Sequence, residues 1–157
     1  MSELLVGGEL TVVLVTALVV GLVVVFHFEV IQLLNRFCPS RQLSSSRQFR
    51  NRPIILGNMF ALLMAHVVEI WLFGAAFWYL LDHGDYGTIT GYSHLSLLDS
   101  VYFSAATYTT AGWGDLVASG HVRFLAGTEA LVGFMMITWS ASFSYLIMAR
   151  AWGSDDD

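Results

Sequence analysis

Three long apolar runs constrain this chain more than any other feature. Leu10 to Leu34 is broken only by Thr11, Thr16, His27, Glu29 and Gln32. Ile54 to Leu81 is interrupted by Asn58, His66 and Glu69, and the charges of Val122 to Met148 are Arg123 and Glu129. Each run exceeds the roughly 20 residues that carry a helix across a hydrocarbon core of about 30 Å. The charged fraction is 12%, where a soluble domain carries about 25%. Three membrane-spanning helices are therefore expected.

Charge placement orients them. All seven basic residues are arginines, and five lie between Arg36 and Arg52. Positive residues in short loops favour the cytoplasmic side. That puts the loop Arg36 to Arg52 and Arg150 inside, and the N-terminus outside. Pro39 and Pro53 read as breakers within and at the end of this loop. The net charge of -5 points to no nucleic-acid partner. Cys38, the sole cysteine, makes neither an intrachain disulfide nor a cysteine-based metal site. The acidic start and the length of the first run suit a retained anchor better than a cleaved leader. The chain divides into an N-terminal helix with its arginine loop (1–53), a second unit (54–150) and an acidic tail (151–157).

Between the second and third runs, Asp82 to Leu95 reads as a loop and Leu97 to Tyr108 as a helix. Ser96 and Asp99 have capping-box spacing. Twelve residues make about 18 Å of helix, too short to cross. Thr109-Thr110-Ala111-Gly112-Trp113-Gly114-Asp115 follows. Gly112 and Gly114 accept positive φ, and an extended chain of this kind can turn its carbonyls towards one axis, where they replace water around a cation. Thr110 adds a hydroxyl at the inner end. Asp115 would stand at the outer mouth. Trp113 would point away from the axis, with Tyr102 and Phe103 as packing partners.

The segment Asp99-Ser100-Val101-Tyr102-Phe103-Ser104-Ala105-Ala106-Thr107-Tyr108-Thr109-Thr110-Ala111-Gly112-Trp113-Gly114-Asp115 resembles the pore loop of the potassium-channel superfamily. His66-Val67-Val68-Glu69-Ile70-Trp71 and Glu129-Ala130-Leu131-Val132-Gly133 are similar to small bacterial members with three spans and one pore loop. The resemblance implies an all-α membrane protein with a re-entrant pore helix and filter loop between the second and third spans. It implies a homotetramer in a bacterial inner membrane, in contact with lipid, that passes monovalent cations and is not an enzyme. Potassium would bind at Thr110, Ala111, Gly112 and Trp113, with Gly114 as the outer turn and no other cofactor. Ala111 and Trp113 depart from the usual Val or Ile and Tyr or Phe, so a weakly selective cation channel is the alternative. Gly133 falls near the gating hinge, with close helix packing as the competing role. Ser140 and Ser144 share its helix face, where their hydroxyls would either wet an inner vestibule or bond back to the helix.

Ionisable groups within spans are costly and mark functional candidates. His66, Glu69 and Glu129 are expected to form one intramembrane polar cluster behind the short helix, either as a structural network or as a proton-sensitive gate. His27 and His66, about 10 and 18 Å from the inner ends of their spans, are expected at different depths, which argues against a shared haem.

Overall fold

The computed structural model describes residues 2–37, 48–91 and 96–152. Pro39 and most of the arginine loop lie outside them, as does the tail after Trp152. Four helices and two strands follow in the order α1 (Ser2–Phe37), α2 (Gln48–His83), β1 (Gly87–Thr90), α3 (Leu97–Tyr108), β2 (Val117–Gly120) and α4 (Val122–Trp152). Gly7–Arg36, Arg52–His83 and Val122–Ala149 are long and apolar enough to cross a membrane. Their outward residues are largely apolar, with Glu29 of α1 and Thr138 and Ser142 of α4 among the exposed exceptions. On α1, Leu10, Leu14, Leu18, Leu22 and Val25 are all exposed in the single chain. A surface of that kind is stable against lipid or another protein, not against water.

The helices run further than the apolar runs. Pro53 lies inside α2 and does not break it. It is the sixth residue of α2, beyond the first-turn amides that lack helical partners, so it removes one helical hydrogen bond, and the helix continues through it.

The core is built where α1, α2, α3 and α4 meet. Val19 and Val23 of α1 join Phe73, Phe77 and Leu80 of α2, Phe103 and Tyr108 of α3, and Leu125, Val132 and Met136 of α4. Phe77 and Phe103 meet edge to face with ring centres 5.0 Å apart. Phe103 thus packs into the core and is not the support expected for Trp113.

α3 is seated by close backbone approach on both sides. A Cβ at Gly74 would fall 2.7 Å from a Val101 methyl, and one at Gly133 only 2.1 Å from the Tyr108 carbonyl oxygen. Gly133 therefore lets the C-terminal end of α3 lie against α4, and α4 is continuous through it. At the other end, the Ser96 side chain accepts from the Asp99 amide and the Asp99 carboxylate accepts from the Ser96 amide. This capping box satisfies amides that the first helical turn leaves unpaired.

The loop expected between α2 and α3 contains a strand. β1 pairs antiparallel with β2, with Gly87 opposite Gly120 and Thr90 opposite Val117. Gly120 has φ +78 and a Cβ there would lie 2.7 Å from the Gly87 Cα, so both positions demand glycine. The Val122 amide donates to the Tyr86 carbonyl, tying the pair to the start of α4. The segment leaving α3 is thereby closed at both ends, by α3 itself and by this two-stranded clasp.

Gly133→Ala should destabilise the protein by about 1–3 kcal/mol, because an added methyl forces α3 off α4. Gly127→Ala, with nothing within 4 Å of its Cβ position, should leave thermal unfolding in detergent unchanged or slightly improved. Asp99 is held below the ordinary carboxylate range by hydrogen bonds from the Ser96 side chain and then its backbone. A lowered folded pKa means the cap stabilises the fold above the unfolded value and is lost as pH falls through the folded one. Hydrogen exchange in the first turn of α3, corrected for intrinsic rates, should accelerate as pH drops below about 4.

Candidate functional site

Helix α3 ends at Tyr108 and is capped by Thr109, whose amide donates to the Ala105 carbonyl. The Thr110 and Gly112 amides turn back to the carbonyls of Thr107 and Ala106. The chain then leaves as an extended segment without strand or helix partners, and every residue from Thr109 to Asp115 is exposed. Nothing lies within 4 Å of the Cβ positions of Gly112 and Gly114.

The backbone along this segment alternates in handedness. Thr110 has φ 57, Gly112 φ 50 and Gly114 φ 82, while Ala111 and Trp113 are absent from the positive-φ residues. In a helix of constant handedness, carbonyls point along the axis. Alternating signs instead allow successive carbonyls of an extended chain to share one side. Glycine adopts positive φ freely. Thr110 does not, and a non-glycine residue there costs about 1–2 kcal/mol. Such an outlier marks a conformation that the surroundings impose. Sequence reasoning assigned this role to the glycines and missed it at Thr110.

The outer end of the segment is anchored. The Tyr102 hydroxyl donates to Asp115 Oδ2 at 2.9 Å, linking α3 to the acid beyond Gly114. A Cβ on Gly91 would stand 2.5 Å from the Asp115 carbonyl oxygen, so the β1 loop backs directly onto the same residue. Trp113 is 74% exposed, so in a single chain it is not packed behind the segment.

Behind the inner end lies a buried polar cluster. Glu69 is fully buried. Its Oε1 meets His27 Nδ1 at 2.7 Å, its Oε2 meets His66 Nδ1 at 3.1 Å, and it accepts from the Tyr108 hydroxyl. Tyr108 Oη also lies 2.9 Å from His66 Nδ1. His27 Nε2 faces Ser140 Oγ at 3.2 Å. Four helices thus contribute to one network, and Tyr108 brings it to within two residues of Thr110. Three hydrogen-bond contacts satisfy a carboxylate that would otherwise be expensive to bury.

Three expectations change here. Glu129 does not join this network. It pairs instead with the Ser104 hydroxyl, whose oxygen also lies 2.8 Å from the Ile70 carbonyl oxygen and whose single proton serves one of the two at a time, so the described residues form two polar clusters along α3. Ser104 and Tyr108 are four residues apart and share a helix face, but each reaches a different acid. The histidines are not at different depths. His27 and His66 have ring centres 5.3 Å apart. Flush helix ends would have kept the two rings apart. From the observed ends, His66 is about 27 Å into α2 and His27 about 15 Å from the end of α1, so the ends are staggered. Ser140 is buried against His27, which removes it from any water-lined face of this chain.

Comparison with known proteins bears on residues 65–148, which match the family model described as an ion channel. That span covers more than half of the chain and runs from the His66 and Glu69 turn of α2 through α3 and the extended segment into α4. No curated protein and no solved structure matches significantly.

The Glu69 network makes a measurable claim. A double-mutant cycle of Tyr108→Phe and Glu69→Gln, read by thermal unfolding, should give a coupling of about 0.5–3 kcal/mol. Additive losses would mean that the two groups do not support each other.

Proposed function

This chain belongs to the ion-channel family and is an integral membrane protein, and on that premise we propose that four copies close a pore around Thr110 to Gly114 and pass potassium passively. The observation that carries this reading is the uncovered segment Thr109 to Asp115, with its alternating φ at Thr110, Gly112 and Gly114. Non-helical backbone at membrane depth is tolerated only when buried in protein or facing water. One chain offers neither cover. One loop per chain supplies one wall, and several chains are needed to surround an ion with carbonyls.

In this reading α3 is re-entrant. Its C-terminal end points its partial negative charge at a central cavity. The carbonyls of Thr110, Ala111, Gly112 and Trp113, with the Thr110 hydroxyl, replace the hydration shell of potassium, and Gly114 forms the outer turn. Asp115 stands at the outer mouth, held by Tyr102, where a ring of acids raises the local cation concentration. Trp113 finds its packing partners on a neighbouring copy, which accounts for its exposure in one chain. Gly133 serves first as the seat of Tyr108, and bending of α4 there would be a second use of the same residue. The arginine-rich loop and the C-terminus face the cytoplasm of a bacterial inner membrane, and the N-terminus faces outward.

A weakly selective cation pore is the second reading, favoured by the small Ala111 beside the large Trp113. Loss of volume at one position and gain at its neighbour conserves the packed total only if the neighbouring copies accommodate it.

Liposomes containing this protein alone should show potassium flux. Gly112→Ala and Gly114→Ala should abolish it while the tetramer survives, because a Cβ at positive φ disturbs the carbonyl alignment. Normal current from both variants would end the filter assignment. Reversal potentials near the potassium equilibrium value in mixed potassium and sodium are expected, and values near zero would select the second reading.

A further inference from the structure

Beyond the extended segment, the described residues hold one concentration of metal-ligand side chains, and it lies where α1, α2 and α3 meet. We propose that His27, His66 and Glu69 form a binding site for a zinc-type divalent ion that staples α1 to α2 beside Tyr108.

The ligand atoms of the three residues all lie within 4.8 Å of one another. Both imidazoles turn Nδ1 towards the same carboxylate, at 2.7 and 3.1 Å. Two imidazoles on one tetrahedral ion, with metal–nitrogen bonds of about 2.0–2.1 Å, hold their ring centres about 5 Å apart. The His27 and His66 rings stand 5.3 Å apart. An ion can therefore enter by rotation of the Glu69 carboxylate, with the helices left in place. The Tyr108 hydroxyl, 2.9 Å from His66 Nδ1, borders the fourth corner.

The surroundings suit such an ion. A histidine that ligates through one nitrogen is oriented by a partner on the other. His27 has that partner in Ser140 Oγ, 3.2 Å from Nε2. Ion binding needs the hydrogen of a neutral His27 to reside on Nε2, where it donates to Ser140. Charge favours a cation as well. Among the described residues, the basic groups paired with the buried Glu69 are these two histidines, and a lone carboxylate within a membrane is costly. Two imidazoles and one carboxylate, without a thiolate, favour zinc over magnesium or calcium, which prefer all-oxygen shells. Entry is through His66, whose side chain retains 16% exposure while His27 and Glu69 are closed off.

The site is testable without any flux measurement, so its failure and that of the conduction reading are separable. The full chain in detergent is dialysed against micromolar zinc chloride, then examined by elemental analysis and X-ray absorption. One zinc per chain with two imidazole ligands is expected. His27→Gln and His66→Gln should each lose it, and Ser140→Ala should weaken binding by about 10–100-fold. His83→Gln, at the far end of α2 beside Asp82, should bind as the unaltered chain does. An unaltered chain that holds no zinc, or holds it through fewer than two imidazoles, overturns the proposal. So does full binding by both glutamine variants. The absorption spectrum is taken on the unaltered protein, so the result stands even where a variant fails to fold.

Discussion

Backbone oxygens without partners dominate the physics of this chain. Thr109 to Asp115 is exposed over seven consecutive residues and, beyond the amides of Thr109, Thr110 and Gly112 that turn back onto α3, lies outside any helix or strand, in a protein whose three long helices belong in lipid. Lipid offers a carbonyl nothing, and each unsatisfied group there costs several kcal/mol. The surrounding structure does not relieve this. It fixes the segment instead, with α3 seated against Gly74 at Val101 and against Gly133 at Tyr108, and with Asp115 tied to Tyr102. In the proposed pore, the cover for these oxygens comes from outside the single chain. Water, cations and further copies of the chain meet that need together when the segment lines a pore.

The Glu69 network gives the first helix a role in the same region. Without His27, α1 would be an apolar helix beside a two-helix unit. With it, α1 reaches Glu69 on α2 and Ser140 on α4. The Glu69 carboxylate in turn holds the hydroxyl of Tyr108, the last residue of α3. Any cation or proton taken up by the two histidines changes the charge beside the residue from which the extended segment departs. The family match begins at residue 65 and leaves α1 outside it, so this connection is a property of the fuller three-helix chain.

The elements readable in the sequence were those with local causes. Leu97 to Tyr108 was legible to the residue, because Ser96 and Asp99 mark its start and the glycine-containing run marks its end. The three spans were legible from their apolar content, although their ends were not. Pro53 lies inside α2, where the loss of one amide donor does not end a helix of 36 residues. What stayed hidden depended on how the helices sit against each other. Strands of four residues, paired across some 30 positions of chain, give no periodic signal long enough to read. The meeting of His27 with His66 depends on helix stagger, and the parting of Glu69 from Glu129 on which residues of α3 face each acid. Neither quantity is written in residue spacing. Thr110 escaped because composition points to glycine at positive φ, and only tertiary structure forces another residue there.

The central claim concerns where the carbonyls of several copies point, and thallium, a heavy monovalent stand-in for potassium, reports on that directly. In crystals of the assembled protein grown with thallium, anomalous scattering should show peaks on a fourfold axis, level with the carbonyls from Thr110 to Trp113. An assembly whose extended segments share no axis, or one whose axis carries no anomalous peak at that level, would contradict the account.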